Sequence, residues 1–206
     1  MPDVIKFSEK ANLKLLDALF QPMSKKWNTS LINWLIDSKY RQYKRLDKFL
    51  KEQLDKPDEM LLKKAEEFKK YKYDQRIVEI LKFVNKTVSY MHDNKNFGKN
   101  EYWATAIETL KRKNDDCDGI NGLLYVLARL SGIPSFMMYC AIGKTFHGGH
   151  FWTVYLSTKY GKLYTIDGTY YVDLRAIPGR AVFRFSDKKY QTIWYLFNDD
   201  FIFKEK

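Results

Sequence analysis

The order of apolar and polar residues divides the chain into a helical first part and a strand-rich second part. Apolar residues recur at helical spacing up to about residue 130, and short aromatic and β-branched runs follow Pro134. The pattern predicts helices at 8–20, 29–54, 58–71, 74–91, 102–111 and 117–131, and strands at 136–142, 151–157, 162–166, 170–174 and 181–185. Helices first and antiparallel strands second predict an α+β fold in which the last helix packs on the sheet.

Cys117 lies at the predicted start of that last helix, within the segment Asn-Asp-Asp-Cys-Asp-Gly at 114–119. The unsatisfied N–H groups and the positive end of the helix dipole favour a thiolate over a thiol. A cysteine in such a place becomes nucleophilic near neutral pH. The position therefore predicts a reactive thiol with a lowered pKa.

Two further residues complete a catalytic set. His150 precedes the predicted strand 151–157, and Asp167 follows the predicted strand 162–166. Neighbouring strands would bring the two side chains together. Cysteine, histidine and aspartate are then nucleophile, general base and orienting group.

The block from Asp116 to Pro134, followed by His150-Phe-Trp and by Ile-Asp167-Gly-Thr, resembles the transglutaminase-like superfamily of papain-type cysteine enzymes. A looser similarity to bacterial transglutaminase-like proteinases extends back to Phe83. The resemblance implies a papain-like core, an acyl-enzyme thioester, and transfer of the acyl group to water or to an amine. It also implies that the indole N–H of Trp103 supplies an oxyanion-hole donor beside the Cys117 N–H. A buried core aromatic is the alternative interpretation of Trp103.

The sequence departs from the family beside the nucleophile. Gly119 stands where many relatives carry a second acidic residue, and Asn114 and Asp115 stand where a glycine is common. No member of the predicted triad is lost. The expected function is a cysteine protease, amidase or transglutaminase acting on peptide or protein substrates. The alternative is an inactive member of the fold that serves as a basic structural or polyanion-binding protein.

The formal net charge of +11 is uneven along the chain. Residues 1–100 hold 22 Lys and Arg against 14 Asp and Glu. We expect a basic helical extension at 1–72 and a catalytic domain at 73–206. The lysines at 63, 64, 69 and 70 are either a solvated helix face or a docking surface for a polyanion or a protein. No apolar run suggests a membrane span or a signal core, so we expect a cytoplasmic protein.

No cofactor or metal is expected. A zinc site formed by Cys117, His147 and His150 would lack a fourth protein ligand at suitable spacing. His147 is a weaker base candidate than His150 because Gly148 and Gly149 separate it from the predicted strand. Cys140 lies in an apolar run and is expected to be an inert core thiol.

Overall fold

The computed structural model describes residues 20–22, 46–171 and 190–205. The helices of these segments are α1 (Leu46–Asp55), α2 (Glu59–Phe68), α3 (Tyr73–Thr87), α4 (Asp93–Asn96), α5 (Ala106–Arg112) and α6 (Cys117–Leu130), with a short 3-10 helix at Ser135–Met137. The strands are β1 (Phe20–Pro22), β2 (Ser89–Tyr90), β3 (Asn114–Asp115), β4 (Met138–Thr145), β5 (Gly148–Leu156), β6 (Leu163–Ile166), β7 (Tyr190–Phe197) and β8 (Ile202–Glu205).

Six strands form one antiparallel sheet in the order β1-β8-β7-β4-β5-β6. Strands β4 and β5 form its central hairpin, and β6 lies beside β5 with Thr153 opposite Ile166. The pair β2 and β3 forms a separate, parallel two-stranded sheet. The expected α+β fold with an antiparallel sheet is confirmed, and the edge strand β1 is the one strand of that sheet that precedes the described helices.

Helix α6 occupies the centre of the molecule. Its residues Leu123 to Ala128 are all fully buried, because the helix packs on β4 and β5 with one side and against α1, α2, α3 and α5 with the others. A helix that is apolar nearly all round must be covered on all sides. Helices α1 and α2 therefore contribute to the same core as the sheet, and the predicted boundary at 72/73 stays a prediction.

Polar contacts fix both ends of α6. At the N-terminus, Asp116 is the N-cap, and its side chain accepts from the Asp118 N–H. At the C-terminus, the buried Arg76 donates to the Ser131 carbonyl at 2.6 Å, and Gly132 adopts the left-handed φ of 93°. Arg129 also forms an ion pair with Asp199, at the end of β7, at 2.8 Å. These contacts hold α6 at both of its ends.

The predicted helices and strands differ from the observed ones mainly at their ends. Helix α3 stops at Thr87 instead of continuing to residue 91, because β2 follows it and pairs with β3. Tyr170 lies in a turn, Tyr171 follows it outside any strand, and 172–174 and the predicted strand 181–185 lie outside the described residues. Phe20 belongs to β1, and the rest of the predicted helix 8–20 is also outside them. Among the described helices, none is long and apolar enough to cross a bilayer.

Candidate active site

Cys117 is the first residue of α6 and is partly exposed. Its N–H therefore belongs to the first-turn donors that have no partner within the helix. The backbone N–H of Phe151, in β5, faces the Cys117 sulfur and lowers the pKa of the thiol. Since Phe151 directly follows His150, the thiol lies beside the strand that carries the predicted base.

His150 and Asp167 are joined by a hydrogen bond of 2.8 Å between Nε2 and Oδ2. Both side chains are buried, with exposed fractions of 4% and 0%. His150 lies near the start of β5, and Asp167 directly follows the neighbouring β6. The antiparallel pairing of these strands brings the two residues together, as the sequence predicts.

The Asp167 carboxylate has further donors. Its Oδ2 also accepts from the Tyr190 hydroxyl at 2.7 Å, and its Oδ1 accepts from the Thr169 N–H at 2.8 Å. Tyr170 covers the His150 ring, with the ring centroids 4.5 Å apart. The contacts orient the carboxylate and keep the imidazole in one plane. With Nε2 directed at Asp167, Nδ1 is the nitrogen that can accept the thiol proton.

Trp103 is buried and packs edge-to-face on Phe151, with the ring centroids 5.4 Å apart. The indole therefore lies beside the residue that contacts the nucleophile. Its N–H donates to Glu101 Oε1 at 2.9 Å. A role in an oxyanion hole requires that this bond be exchanged for one to the substrate, so the role of Trp103 stays a prediction.

A cluster of carboxyl groups adjoins the nucleophile. Five acidic residues make up this acidic cluster: Asp93, Glu101, Asp115, Asp116 and Asp118. Oxygen atoms of Asp93, Asp115 and Asp116 all lie within 4.8 Å of one another, and so do oxygen atoms of Asp93, Glu101 and Asp118. Within the described part of the chain, Asp93 Oδ1 and Asp118 Oδ1 are buried without a hydrogen-bond partner.

Burial and mutual repulsion raise the pKa values of these carboxyl groups. The pKa of Asp93 rises to about 7, chiefly through burial and secondly through Asp116. Burial raises the pKa of Asp115 to about 6. The pKa of Asp118 is also well above its usual range because of burial and the neighbouring Asp116. The acidic cluster therefore holds protons near neutral pH, or it requires a cation.

The predicted lowering of the Cys117 pKa is opposed by the structure. Burial raises the pKa of the thiol well above its usual value, and the adjacent Asp116 and Asp118 raise it further. The Phe151 N–H lowers it, but by less. Burial, together with the acidic residues on either side of the cysteine, thus favours the neutral thiol over the thiolate.

The structure gives a steric reason for a glycine at position 119. A Cβ atom at this position would lie 2.1 Å from Cγ of Asp115, a separation at which atoms overlap. The Asp115 side chain is fully buried and accepts from Thr109 Oγ1 at 2.6 Å. The carboxyl group of Asp115 thus fills the space beside position 119.

The structure also locates Cys140, the residues of the considered zinc site and the lysines of the basic segment. Cys140 lies in β4 and is fully buried. Among the described residues, the two carboxylate groupings are the sets close enough to hold a metal, and neither includes Cys117, His147 or His150. Of the lysines at 63, 64, 69 and 70, two pair with neighbouring acidic residues, Lys64 with Glu67 and Lys69 with Glu66.

Three residues of the site were not among those predicted from the sequence. Asn121 and Tyr190 both contact Asp167, and Asp93 belongs to the acidic cluster. Asn121 is the one residue that could have been singled out, because an amide within an apolar helix one turn after the nucleophile needs partners. Tyr190 lies in a strand that the apolar pattern did not reveal.

Comparisons with solved structures agree with this fold. LapG of Legionella pneumophila, in an EGTA-treated form, superposes with a TM-score of 0.54 at 14% identity over 78% of this chain and 86% of LapG. Calcium-bound LapG gives a TM-score of 0.47 at 16% identity over 70% and 87%. A candidate cysteine protease of Cytophaga hutchinsonii gives 0.38 at 19% identity over 73% and 44%. At these identities the likeness concerns the fold alone.

A search of curated proteins found no match to the sequence. The family model described as the transglutaminase-like superfamily matches residues 60–166, which is slightly more than half of the chain and includes Cys117 and His150. The match ends at Ile166, directly before Asp167. The sequence motifs and the arrangement of α6 on the antiparallel sheet agree with that match, and the chain belongs to the transglutaminase-like superfamily.

Proposed function

We propose that the protein is a thiol-dependent acyl-transfer enzyme that acts on amide bonds of peptide or protein substrates. Cys117 is the nucleophile, His150 the general base and acid, and Asp167 the orienting group. The observation that carries the proposal is the buried 2.8 Å bond between His150 Nε2 and Asp167 Oδ2, with the Cys117 sulfur beside the next residue of the same strand. A buried histidine and carboxylate beside a thiol at a helix N-terminus are the arrangement that nucleophilic catalysis requires.

The first half of the reaction uses the neutral thiol. His150 Nδ1 takes the Cys117 proton as the sulfur attacks the carbonyl carbon, and the carbonyl electrons move to its oxygen. The tetrahedral intermediate then collapses, the carbon–nitrogen bond breaks, and the imidazolium returns the proton to the leaving amine. A thioester on Cys117 remains.

The second half transfers the acyl group. Water or a primary amine gives a proton to His150 and attacks the thioester carbon. The carbon–sulfur bond then breaks, and the imidazolium returns the proton to the Cys117 sulfur. Throughout, Asp167 holds the imidazole in the tautomer that carries its proton on Nε2 and stabilises the imidazolium. The Cys117 N–H is the first donor to the oxyanion, and Trp103 Nε1 is the second once it exchanges its bond to Glu101. Loss of one such donor typically costs about 3 kcal/mol of transition-state stabilisation.

The test is product analysis on a peptide library, with and without an added primary amine such as monodansylcadaverine. We expect cleaved peptides, or amine-coupled peptides, from the parent and from the His147→Ala variant. Cys117→Ala and His150→Ala should give neither product. Equal products from the parent and from Cys117→Ala would rule out Cys117 as the nucleophile. No product from the parent would instead favour the inactive basic binding protein.

We also propose that the acidic cluster binds a divalent cation with oxygen preference, such as Ca²⁺. Two observations support this proposal independently of each other. The carboxylate oxygens converge to within 4.8 Å in groups of three, and two of the nine-tenths-buried carboxyl groups each have an oxygen without a hydrogen-bond donor among the described residues. Buried polar atoms are normally satisfied, so both orphaned oxygens call for a ligand.

The donor set fits a hard cation. Asp93, Glu101 and Asp118 offer carboxylate oxygens without nitrogen or sulfur, which suits Ca²⁺ or Mg²⁺. Asp115 and Asp116 can complete the site from the neighbouring grouping. When bound, the cation supplies positive charge beside the thiol and offsets the carboxylates that raise its pKa.

Thermal melting and isothermal titration calorimetry with Ca²⁺ alone test the cation site. At a hundredfold excess over Kd, binding adds about 2.7 kcal/mol of stability, which raises the melting temperature by roughly 5–10 °C in a chain of this length. We expect this rise in the parent and in Asp55→Asn, an exposed control, but not in Asp93→Asn. Heat of binding that persists in Asp93→Asn and in Asp118→Asn would exclude the site.

A further inference from the structure

Asn121 connects the three segments that carry the predicted triad. It lies one helical turn after Cys117 on α6 and is fully buried. Its Nδ2 lies 3.0 Å from the Cys117 carbonyl oxygen and 2.9 Å from the Phe151 carbonyl oxygen. The same nitrogen lies 3.3 Å from Asp167 Oδ1. One side-chain amide therefore touches the nucleophile helix, the strand of the base and the turn of the orienting carboxylate.

The other half of the amide is also engaged. Asn121 Oδ1 accepts from the Gly168 N–H at 2.8 Å, and Thr169 Oγ1 lies 3.3 Å from Nδ2. Two N–H hydrogens are thus shared among four acceptors. The close approach is reinforced by Gly168, where a Cβ would meet Cγ2 of Ile120 at 2.7 Å. The turn after Asp167 is consequently held in close contact with the first turns of α6.

The orientation of the Asp167 carboxylate depends on these contacts of Asn121. Asn121 and the Thr169 N–H hold Oδ1, which leaves Oδ2 directed at His150 and Tyr190. At the same time, the bond to the Phe151 carbonyl fixes the residue whose N–H contacts the Cys117 sulfur. The amide therefore determines both the orientation of the base and the position of the thiol relative to it.

We infer that Asn121 is a positioning residue for the catalytic reaction. It touches no reacting atom and acts through Asp167 and Phe151. This inference rests on the proposed function, since positioning has meaning only if Cys117 reacts with the help of His150. Displacement of a catalytic group by about 1 Å can reduce the rate roughly a hundredfold, so loss of the amide is expected to slow the reaction of Cys117 as well as to destabilise the fold.

The matched control is Asn198. It is 1% exposed, its Nδ2 donates to the Ser135 carbonyl at 3.1 Å, and its Oδ1 accepts from two backbone N–H groups, those of Asp200 and Phe201. It thus makes a comparable set of buried bonds in the β7–β8 turn, without contact to the triad. Any effect of losing a buried amide on stability alone should appear in both variants.

The experiment measures alkylation of Cys117 by iodoacetamide across pH by mass spectrometry, alongside far-UV circular dichroism and thermal melting. Asn121→Ala should be alkylated roughly 10- to 100-fold more slowly near neutral pH, with its profile displaced to higher pH. Asn198→Ala should keep the profile of the parent while its melting temperature falls. Asn121→Asp, which retains the acceptor for Gly168 but replaces the donor, should behave like Asn121→Ala and provides a second variant if alanine prevents folding.

Two outcomes contradict the inference in different ways. A folded Asn121→Ala or Asn121→Asp with the parent's profile, while His150→Ala is displaced, overturns positioning by Asn121 and leaves the proposed function intact. If neither the Asn121 variants nor His150→Ala is displaced, the proposed function fails together with the inference.

Discussion

Tyr190 donates its hydroxyl hydrogen to the same Asp167 oxygen that faces His150, at 2.7 Å. The phenol is buried, and both burial and the Asp167 charge raise its pKa, so it remains a donor across the working pH range. Tyr190 comes from β7, which does not pair with the strands of His150 and Asp167. The last described part of the chain thus completes the surroundings of the triad.

Tyr190→Phe removes only the hydroxyl that contacts Asp167. A hydrogen bond to a charged group contributes about 1.5–3 kcal/mol, and we expect a loss of that order in stability together with a lower kcat. Tyr155→Phe is the control, because the Tyr155 hydroxyl donates to Asp74 at 2.8 Å, away from the site. Circular dichroism melts and turnover of the peptide found in the library screen distinguish the two variants. Tyr155→Phe should lose stability and keep the kcat of the parent. Equal kcat in all three proteins would contradict a role for Tyr190.

Gly119→Ala and Gly122→Ala should have opposite effects although both glycines lie in α6. The new Cβ at 119 would overlap the Asp115 carboxyl group, whereas no atom lies within 4 Å of a Cβ at 122. We expect Gly119→Ala to lower the free energy of unfolding by about 1–3 kcal/mol and Gly122→Ala to raise it by up to about 1 kcal/mol. Urea denaturation gives both values. If alanine at 119 is as well tolerated as alanine at 122, the packing of Asp115 against the helix is not as described.

The stability of the protein without divalent cations should decrease as the pH rises from about 4 to about 7. Asp93 has a pKa of about 7 in the folded protein, above its value of 3.8 in the unfolded chain. The folded state therefore binds more protons than the unfolded state within this interval, and removal of those protons costs stability. Asp93→Asn cannot titrate, so its stability should vary less with pH and should exceed that of the parent near pH 8. Melting temperatures in EDTA across pH test this, and a parent curve parallel to that of Asp93→Asn would contradict it.

Charge reversal at four lysines tests whether they form a docking surface or a solvated helix face. Lys64 and Lys69 already pair with Glu67 and Glu66, and the Lys64 ammonium lies 4.8 Å from the centre of the Phe83 ring. We therefore expect a solvated helix face. Replacement of Lys63, Lys64, Lys69 and Lys70 by glutamate should leave retention on heparin unchanged after correction for net charge. A specific loss of salt-sensitive binding in this variant alone would instead support polyanion docking.

The sequence predicts those parts of the site that adjoin recognisable motifs. Cys117, His150 and Asp167 each stand at the edge of an apolar helix or strand, and local patterns are sufficient to find them. The contact of Tyr190 with Asp167 is formed between distant parts of the chain, and no local pattern encodes it.

The pKa of the Cys117 thiol is a second property that the sequence alone does not predict. The helix N-terminus predicts a lowered pKa for Cys117, but the sign is decided by burial and by Asp116 and Asp118. Burial depends on the packing of β5 against α6, which the sequence does not give. Asp93 joins the acidic cluster for the same reason, since it approaches Asp115 only through the pairing of β2 with β3.

The most direct test of the account is the pH dependence of Cys117 alkylation in three proteins: the parent, His150→Ala and His147→Ala. Mass spectrometry reads the label, and the fully buried Cys140 serves as internal control. Since we propose that His150 takes the proton of the Cys117 thiol, His150→Ala should be labelled only at higher pH than the parent, whereas His147→Ala should match the parent. Identical profiles for the parent and for His150→Ala would show that the buried histidine and aspartate do not activate the thiol.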